Sequence, residues 1–146
     1  MSRLVVTLHL LLLLPLSHGM SGIDLTISDT PFTNLQTFEC FLQGGYNFSA
    51  ARVYRADGVV DRNGVQSIKN AHDVGMDNVD AYLVPCGDPY RCPTPSSQMH
   101  SVVSQLRDQY LSIGTLWLSI ESASSWPSDP KYVRTLSCSS LTRQAK

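Results

Sequence analysis

The chain has 146 residues, of which 42% are hydrophobic and 16% charged, enough for one domain with a real core and too apolar for a disordered segment. Lys+Arg number 11 against 12 Asp+Glu, so no basic excess points to nucleic acid or an anionic membrane as partner. No Cys-x-x-Cys or His-x-x-x-His pair is present, and neither a metal nor any other cofactor is expected.

Residues 1–19 read as a signal peptide. Arg3 gives the positive start, and Leu4 to Leu16 is an apolar run broken only by Thr7, His9 and Pro15. Ser17 and Gly19 then supply small residues at −3 and −1 of a cut before Met20. The run is too short for a membrane span, so the expectation is a secreted, extracellular protein. Removing the leader takes away one basic residue, Arg3, and leaves 10 Lys+Arg against 12 Asp+Glu. Cys40, Cys86, Cys92 and Cys138 all lie in the exported part, an even count in an oxidising compartment. Cys86 and Cys92 flank the short loop Gly87–Arg91, which a disulfide closes if the Cα atoms come within about 4.4–6.8 Å. Cys40 falls toward the other end of the sheet and either pairs with Cys138 or stays free. Asn47-Phe48-Ser49 is a glycosylation sequon at the start of a predicted strand, its occupancy open.

Four short apolar runs alternate with three helical patterns. The strands are Gly22–Ile27, Phe48–Tyr54, Val79–Val84 and Thr115–Glu121. Helices are predicted near Thr33–Leu42, Gly64–Val74 and Pro95–Ile113. The third is the clearest: Met99, Val102, Val103, Leu106 and Tyr110 recur at helical spacing, Thr94 is its N-cap, Pro95 fits its first turn and Gly114 is expected to end it. Strand, helix, strand at intervals of roughly 30 residues means βαβ units and a parallel sheet. The predicted fold class is therefore α/β, with four parallel strands and three helices. The pattern stops after the fourth strand, and Ser122–Lys146 is rich in Ser and Pro. The domain division expected is a leader at 1–19, the β/α domain at 20–126 and a loosely ordered tail at 127–146.

Alternation within the strands separates two faces. Ile23, Leu25 and Ile27, then Val79, Ala81 and Leu83, then Leu116, Leu118 and Ile120 form an aliphatic set. The opposite set holds Asp24 and Thr26, Arg52 and Tyr54, Asp80 and Tyr82, and Trp117, Ser119 and Glu121. A doubly wound sheet is apolar on both faces. A barrel that binds something in its mouth fits better, because ordinary barrel interiors are branched aliphatics and this one gathers carboxylates and rings.

Glu121 stands at the carboxyl end of a predicted parallel strand, where barrel enzymes carry their chemistry, with Trp117 on the same face. An apolar neighbour of that kind raises a carboxyl pKa toward the range of a general acid. Asp24 could face it across the mouth, giving the two carboxyls that glycoside hydrolysis requires. The plainer alternative is that Glu121 and Asp24 pair with Arg52 or cap helices. Tyr54, Tyr82 and Trp117 are either a sugar-stacking platform or interior packing. His72 and His100 fall within helices and read as packing or solvent-facing residues.

Four blocks in order carry a resemblance. Gly22-Ile23-Asp24, Gly45-Tyr46-Asn47-Phe48 leading to Arg52-Val53-Tyr54, Val79-Asp80-Ala81-Tyr82-Leu83-Val84-Pro85-Cys86, and Gly114-Thr115-Leu116-Trp117-Leu118-Ser119-Ile120-Glu121 resemble successive strands of glycoside hydrolase family 25, the lysozymes, in their nematode and amoebal form. The resemblance covers residues 21–126. It implies a β/α barrel and cleavage of the β-1,4 link after N-acetylmuramic acid in bacterial peptidoglycan, in digestion or defence. It also implies Glu121 as proton donor and Asp24 as supporting carboxylate, with Asp80, Tyr82, Tyr54, Arg52, Trp117 and Ser119 lining the substrate site.

Two departures accompany it. The family's fourth strand carries Asp-x-Glu, and Ser119 stands where that Asp would be; a hydroxyl cannot carry negative charge at neutral pH. Eight-stranded barrels also run to about 250 residues, so the expectation is a barrel truncated after its fourth strand, favoured over association of two copies. The functional expectation is a peptidoglycan-directed lysozyme-like protein of impaired activity. The alternatives are a non-catalytic peptidoglycan-binding or remnant protein and, last, a small α/β domain with an unrelated ligand.

Overall fold

The structure is a computed structural model that describes residues 19–25, 34–88 and 90–120. The expected alternation is present: β1 (Gly22–Leu25), α1 (Leu35–Gln43), β2 (Phe48–Tyr54), α2 (Arg62–Asp73), β3 (Asn78–Leu83), α3 (Pro95–Asp108) and β4 (Leu116–Leu118). The strands form one parallel sheet in sequence order, β1-β2-β3-β4. Sequential order with right-handed crossovers sends every helix to the same side, as in one half of a barrel wall. Among the described residues no helix is long and apolar enough to cross a membrane. The leader, Glu121, the tail and Cys138 lie outside the described residues.

Side-chain oxygens set the helix starts. Asn34 caps α1 by accepting from the Thr37 amide at 2.8 Å, and Asp61 caps α2 by accepting from the Asn63 and Gly64 amides. Thr94 caps α3, with Pro95 in the first turn where its missing N–H costs nothing. The aliphatic strand face packs on these helices. Leu25, Ala51, Val53, Val79, Ala81 and Leu83 meet Phe38 of α1, Val65, Ile68 and Ala71 of α2, and Met99, Val102 and Leu106 of α3. Full burial of a Phe38 or Ile68 side chain is worth about 1.5–3 kcal/mol each, which is what fixes the helices to one face.

Each helix ends where one residue turns left-handed. Gly45 and Gly75 do this after α1 and α2, at φ 82° and 84°. The end of α3 differs from expectation: the helix stops at Asp108, and Tyr110, not Gly114, takes the left-handed turn at φ 56°. The Leu111 amide then closes back on the Leu106 carbonyl at 2.9 Å, completing the same capping pattern. A β-carbon in that conformation costs about 1–2 kcal/mol, and the Tyr110 ring, 96% exposed, returns no packing. Tyr110→Gly is therefore expected to stabilise the protein by about 1 kcal/mol, seen as a melting temperature a few degrees higher. An unchanged or lower value would show that Tyr110 contributes something its exposure does not reveal.

Candidate functional site

In a parallel sheet, residues in register present their side chains on the same face. Asp24, Ala50 and Asp80 form one such row across β1, β2 and β3. Arg52, Tyr82 and Trp117 form the next, across β2, β3 and β4. The ladder continues beyond β4, with the Ser119 amide donating to the Leu83 carbonyl at 2.9 Å, so Ser119 follows Trp117 on the same face. Six of the predicted site residues thus share the face opposite the helices. Asp24, on an outer strand, is exposed; with only the small Ala50 between them, it and Asp80 are two strand spacings apart, about 10 Å. Glu121, two residues past Ser119, lies outside the described residues.

Asp80 is the best-held member. It is 8% exposed, and its two oxygens have separate partners: Oδ1 accepts from the Thr115 amide at 2.8 Å and Oδ2 from the Trp117 indole N–H at 2.7 Å. Gly114 makes this possible, because a Cβ there would stand 2.7 Å from Oδ1. The glycine expected to end α3 instead lets the chain pass close over the carboxylate. Trp117 keeps 55% of its surface exposed while its nitrogen is anchored. Tyr82, beside it in the row, is buried.

Two residues depart from the expected arrangement. Arg52 is engaged by Asp61, Nε and one terminal nitrogen lying 3.0 and 2.9 Å from Oδ2. The plainer alternative paired Arg52 with Glu121 or Asp24; its partner is instead the α2 N-cap, Asp61, which a cap reading of Asp61-Arg62-Asn63-Gly64 could have suggested. Tyr54 is a correction. The β2–β3 register shifts between Arg52 and Tyr54, so Tyr54 pairs with Leu83 and enters the core. One extra residue on a strand reverses which face the next side chain takes. The Tyr54 hydroxyl donates to the Gly58 carbonyl at 2.7 Å. Burial, and secondly the Asp57 carboxylate, push the Tyr54 phenol above the ordinary tyrosine range, which keeps it a donor.

The rim at the carboxyl ends of β2 and β3 is tied together. Cys86 and Cys92 form a disulfide with Cα atoms 5.5 Å apart. Gln98 of α3, buried, accepts from the Cys86 amide at 3.0 Å and donates to the Cys86 and Pro93 carbonyls at 3.1 and 2.8 Å. Gly58, at the tip of the β2–α2 turn, packs close enough that a Cβ would touch Pro93 and the Cys86 sulfur. In the same turn Arg55 pairs with Asp57 and holds its carboxyl below the usual range. No sequence signal marks Gln98; its role depends on a loop brought to it by the fold. Cys40 is exposed and has no disulfide partner among the described residues. The double variant Cys86→Ser/Cys92→Ser is expected to lose about 2 kcal/mol through the freed loop. Urea midpoints would show it, and a reductant should bring wild type to the same value; coincident midpoints without reductant would contradict it.

The family model for lysozyme-like protein 1 matches residues 21–145. The chain belongs to this lysozyme-like family. It is similar to a probable GH family 25 lysozyme 2 of Dictyostelium discoideum, 33% identical over 121 residues, which is 83% of this chain and 54% of that protein. Lysozyme-like protein 5 of Caenorhabditis elegans is 34% identical over 113 residues, 77% of this chain and 50% of the relative. A probable GH family 25 lysozyme 5 of Dictyostelium discoideum is 31% identical over 145 residues, 96% of this chain and 65% of the relative. The chain thus spans from half to just under two thirds of the length of these lysozyme-like relatives. No solved structure matches it.

Proposed function

We propose that this lysozyme-like chain is secreted and acts on bacterial peptidoglycan, binding the glycan strand along the polar sheet face and cleaving it slowly. The observation that carries this reading is the convergence on one face of Asp24, Asp80, Tyr82 and Trp117, with Ser119 next on that face just past β4. Arg52, already neutralised by Asp61, leaves that face with carboxylates and rings, the groups that stack on sugars and favour a developing cation. Glu121 is the general acid that protonates the glycosidic oxygen between N-acetylmuramic acid and the next sugar. The Asp24 carboxylate supports the oxocarbenium-like state. Asp80, with each oxygen already accepting a short hydrogen bond, is not the second acid.

Glycan release from purified peptidoglycan, with co-sedimentation measured alongside, tests the proposal. Wild type should bind and release fragments at a low rate, and Glu121→Gln should bind equally while losing release by about 10²-fold or more. Absence of both binding and release from wild type would reject the reading. A second reading, a glycan-binding protein without turnover, is favoured by the hydroxyl at position 119. Its mark is full binding with release no higher than that of Glu121→Gln.

A further inference from the structure

We infer that Asp80 is a positioning residue which locks the Trp117 indole as a saccharide-stacking platform. The inference deepens the peptidoglycan reading and rests on it for the identity of the sugar. Three observations converge. Asp80 is a buried carboxylate that accepts from two N–H groups, the Thr115 amide just before β4 and the Trp117 indole within it. No lysine or arginine forms an ion pair with it among the described residues. Trp117 lies on the polar face, more than half exposed although its nitrogen is held.

Distance excludes the competing role, in which Asp80 replaces the carboxylate missing at Ser119. Asp80 lies beside Thr115, and Ser119 is four residues further along β4, about 13 Å at 3.3 Å per residue. An aspartate side chain cannot span that gap. What Asp80 can do is fix the indole. A ring free to rotate about χ1 and χ2 loses that freedom when a sugar stacks on it, a cost of about 0.5–1.5 kcal/mol for a side chain immobilised on binding. A hydrogen bond to a charged acceptor removes it in advance. Gly114 belongs to the same device, since a methyl group there would displace Oδ1.

The test uses the full chain and a soluble disaccharide-peptide fragment of peptidoglycan. The Trp117 indole N–H resonance, assigned by its loss in Trp117→Phe, should move upfield in both Asp80→Asn and Gly114→Ala, with the far-ultraviolet dichroism unchanged. Fragment affinity should fall roughly tenfold in each, a loss of about 1.4 kcal/mol. The double variant Asp80→Asn/Trp117→Phe should bind no worse than Trp117→Phe alone, because Asp80 acts only through the indole. Additive losses, or an indole resonance indifferent to Asp80→Asn, would overturn the inference. If wild type bound no fragment, the peptidoglycan reading would fall, while the indole resonance would still decide whether Asp80 holds the ring. Should Asp80→Asn unfold, Gly114→Ala carries the comparison, as it removes no hydrogen-bonding group and only shifts Oδ1.

Discussion

Ser119→Asp is expected to raise glycan release from peptidoglycan by about 10²–10³-fold over wild type, the range that a pre-organised charge at a reaction centre supplies. The Ser119 amide continues the β4 ladder onto Leu83, and its side chain follows Trp117 on the polar face. Glu121 is two residues further on in the sequence, a separation that in any extended strand spans roughly 6–7 Å. A carboxylate introduced at 119 would do two things that a hydroxyl cannot. It would stabilise the positive charge that develops on the sugar ring. By like-charge repulsion it would also hold the Glu121 proton to higher pH, favouring the acid form. The alkaline limb of the pH–rate profile should therefore move upward in the variant, while co-sedimentation stays the same. An increase in rate without the pH movement would mean that position 119 acts on the developing sugar cation alone and not on the Glu121 proton. No increase would remove position 119 from the reaction.

Gly64→Ala should destabilise the protein by at least about 3 kcal/mol, the upper part of the usual cost of overpacking. Helix propensity predicts the opposite sign, since alanine is favoured over glycine inside a helix by about 1 kcal/mol. Packing decides the matter. A Cβ at Gly64 would sit 1.6 Å from the Arg52 carbonyl oxygen and 2.6 Å from its carbon, and a backbone in the middle of a sheet cannot yield that far. Helix α2 would have to withdraw from β2, taking with it Asp61 and the ion pair that holds Arg52. Against a total stability of about 5–15 kcal/mol, such a loss is visible as a large fall in the urea midpoint. A more stable Gly64→Ala would show that propensity outweighs this contact.

The strands were legible from short apolar runs whose side chains alternate, and Phe48–Tyr54 runs between the same residues in sequence and structure. The faces were legible for the same reason, and Asp24, Arg52, Asp80, Tyr82, Trp117 and Ser119 do share one. Tyr54 was not, because a single-residue register slip leaves no trace in a period-two pattern. The end of α3 was misread for a related reason. A glycine is the usual left-handed residue, so Gly114 drew the assignment, while Tyr110 occupies that conformation at a cost that composition does not display. Asp61 and Gln98 were missed on different grounds. Asp61 had a local signal as an N-cap, whereas Gln98 earns its place only through a loop 12 residues away in sequence.

Strict neighbour pairing in the sheet also bears on how the chain is made. Register partners such as Gly22 and Phe48, Phe48 and Asn78, or Ala81 and Leu116 are each separated by a single helix. Among the described residues no strand waits for a distant segment before it can dock, so loop-closure entropy stays modest at each of these steps. Each new strand can be laid beside the previous one as it leaves the ribosome, with the intervening helix sealing the aliphatic side before the next unit arrives.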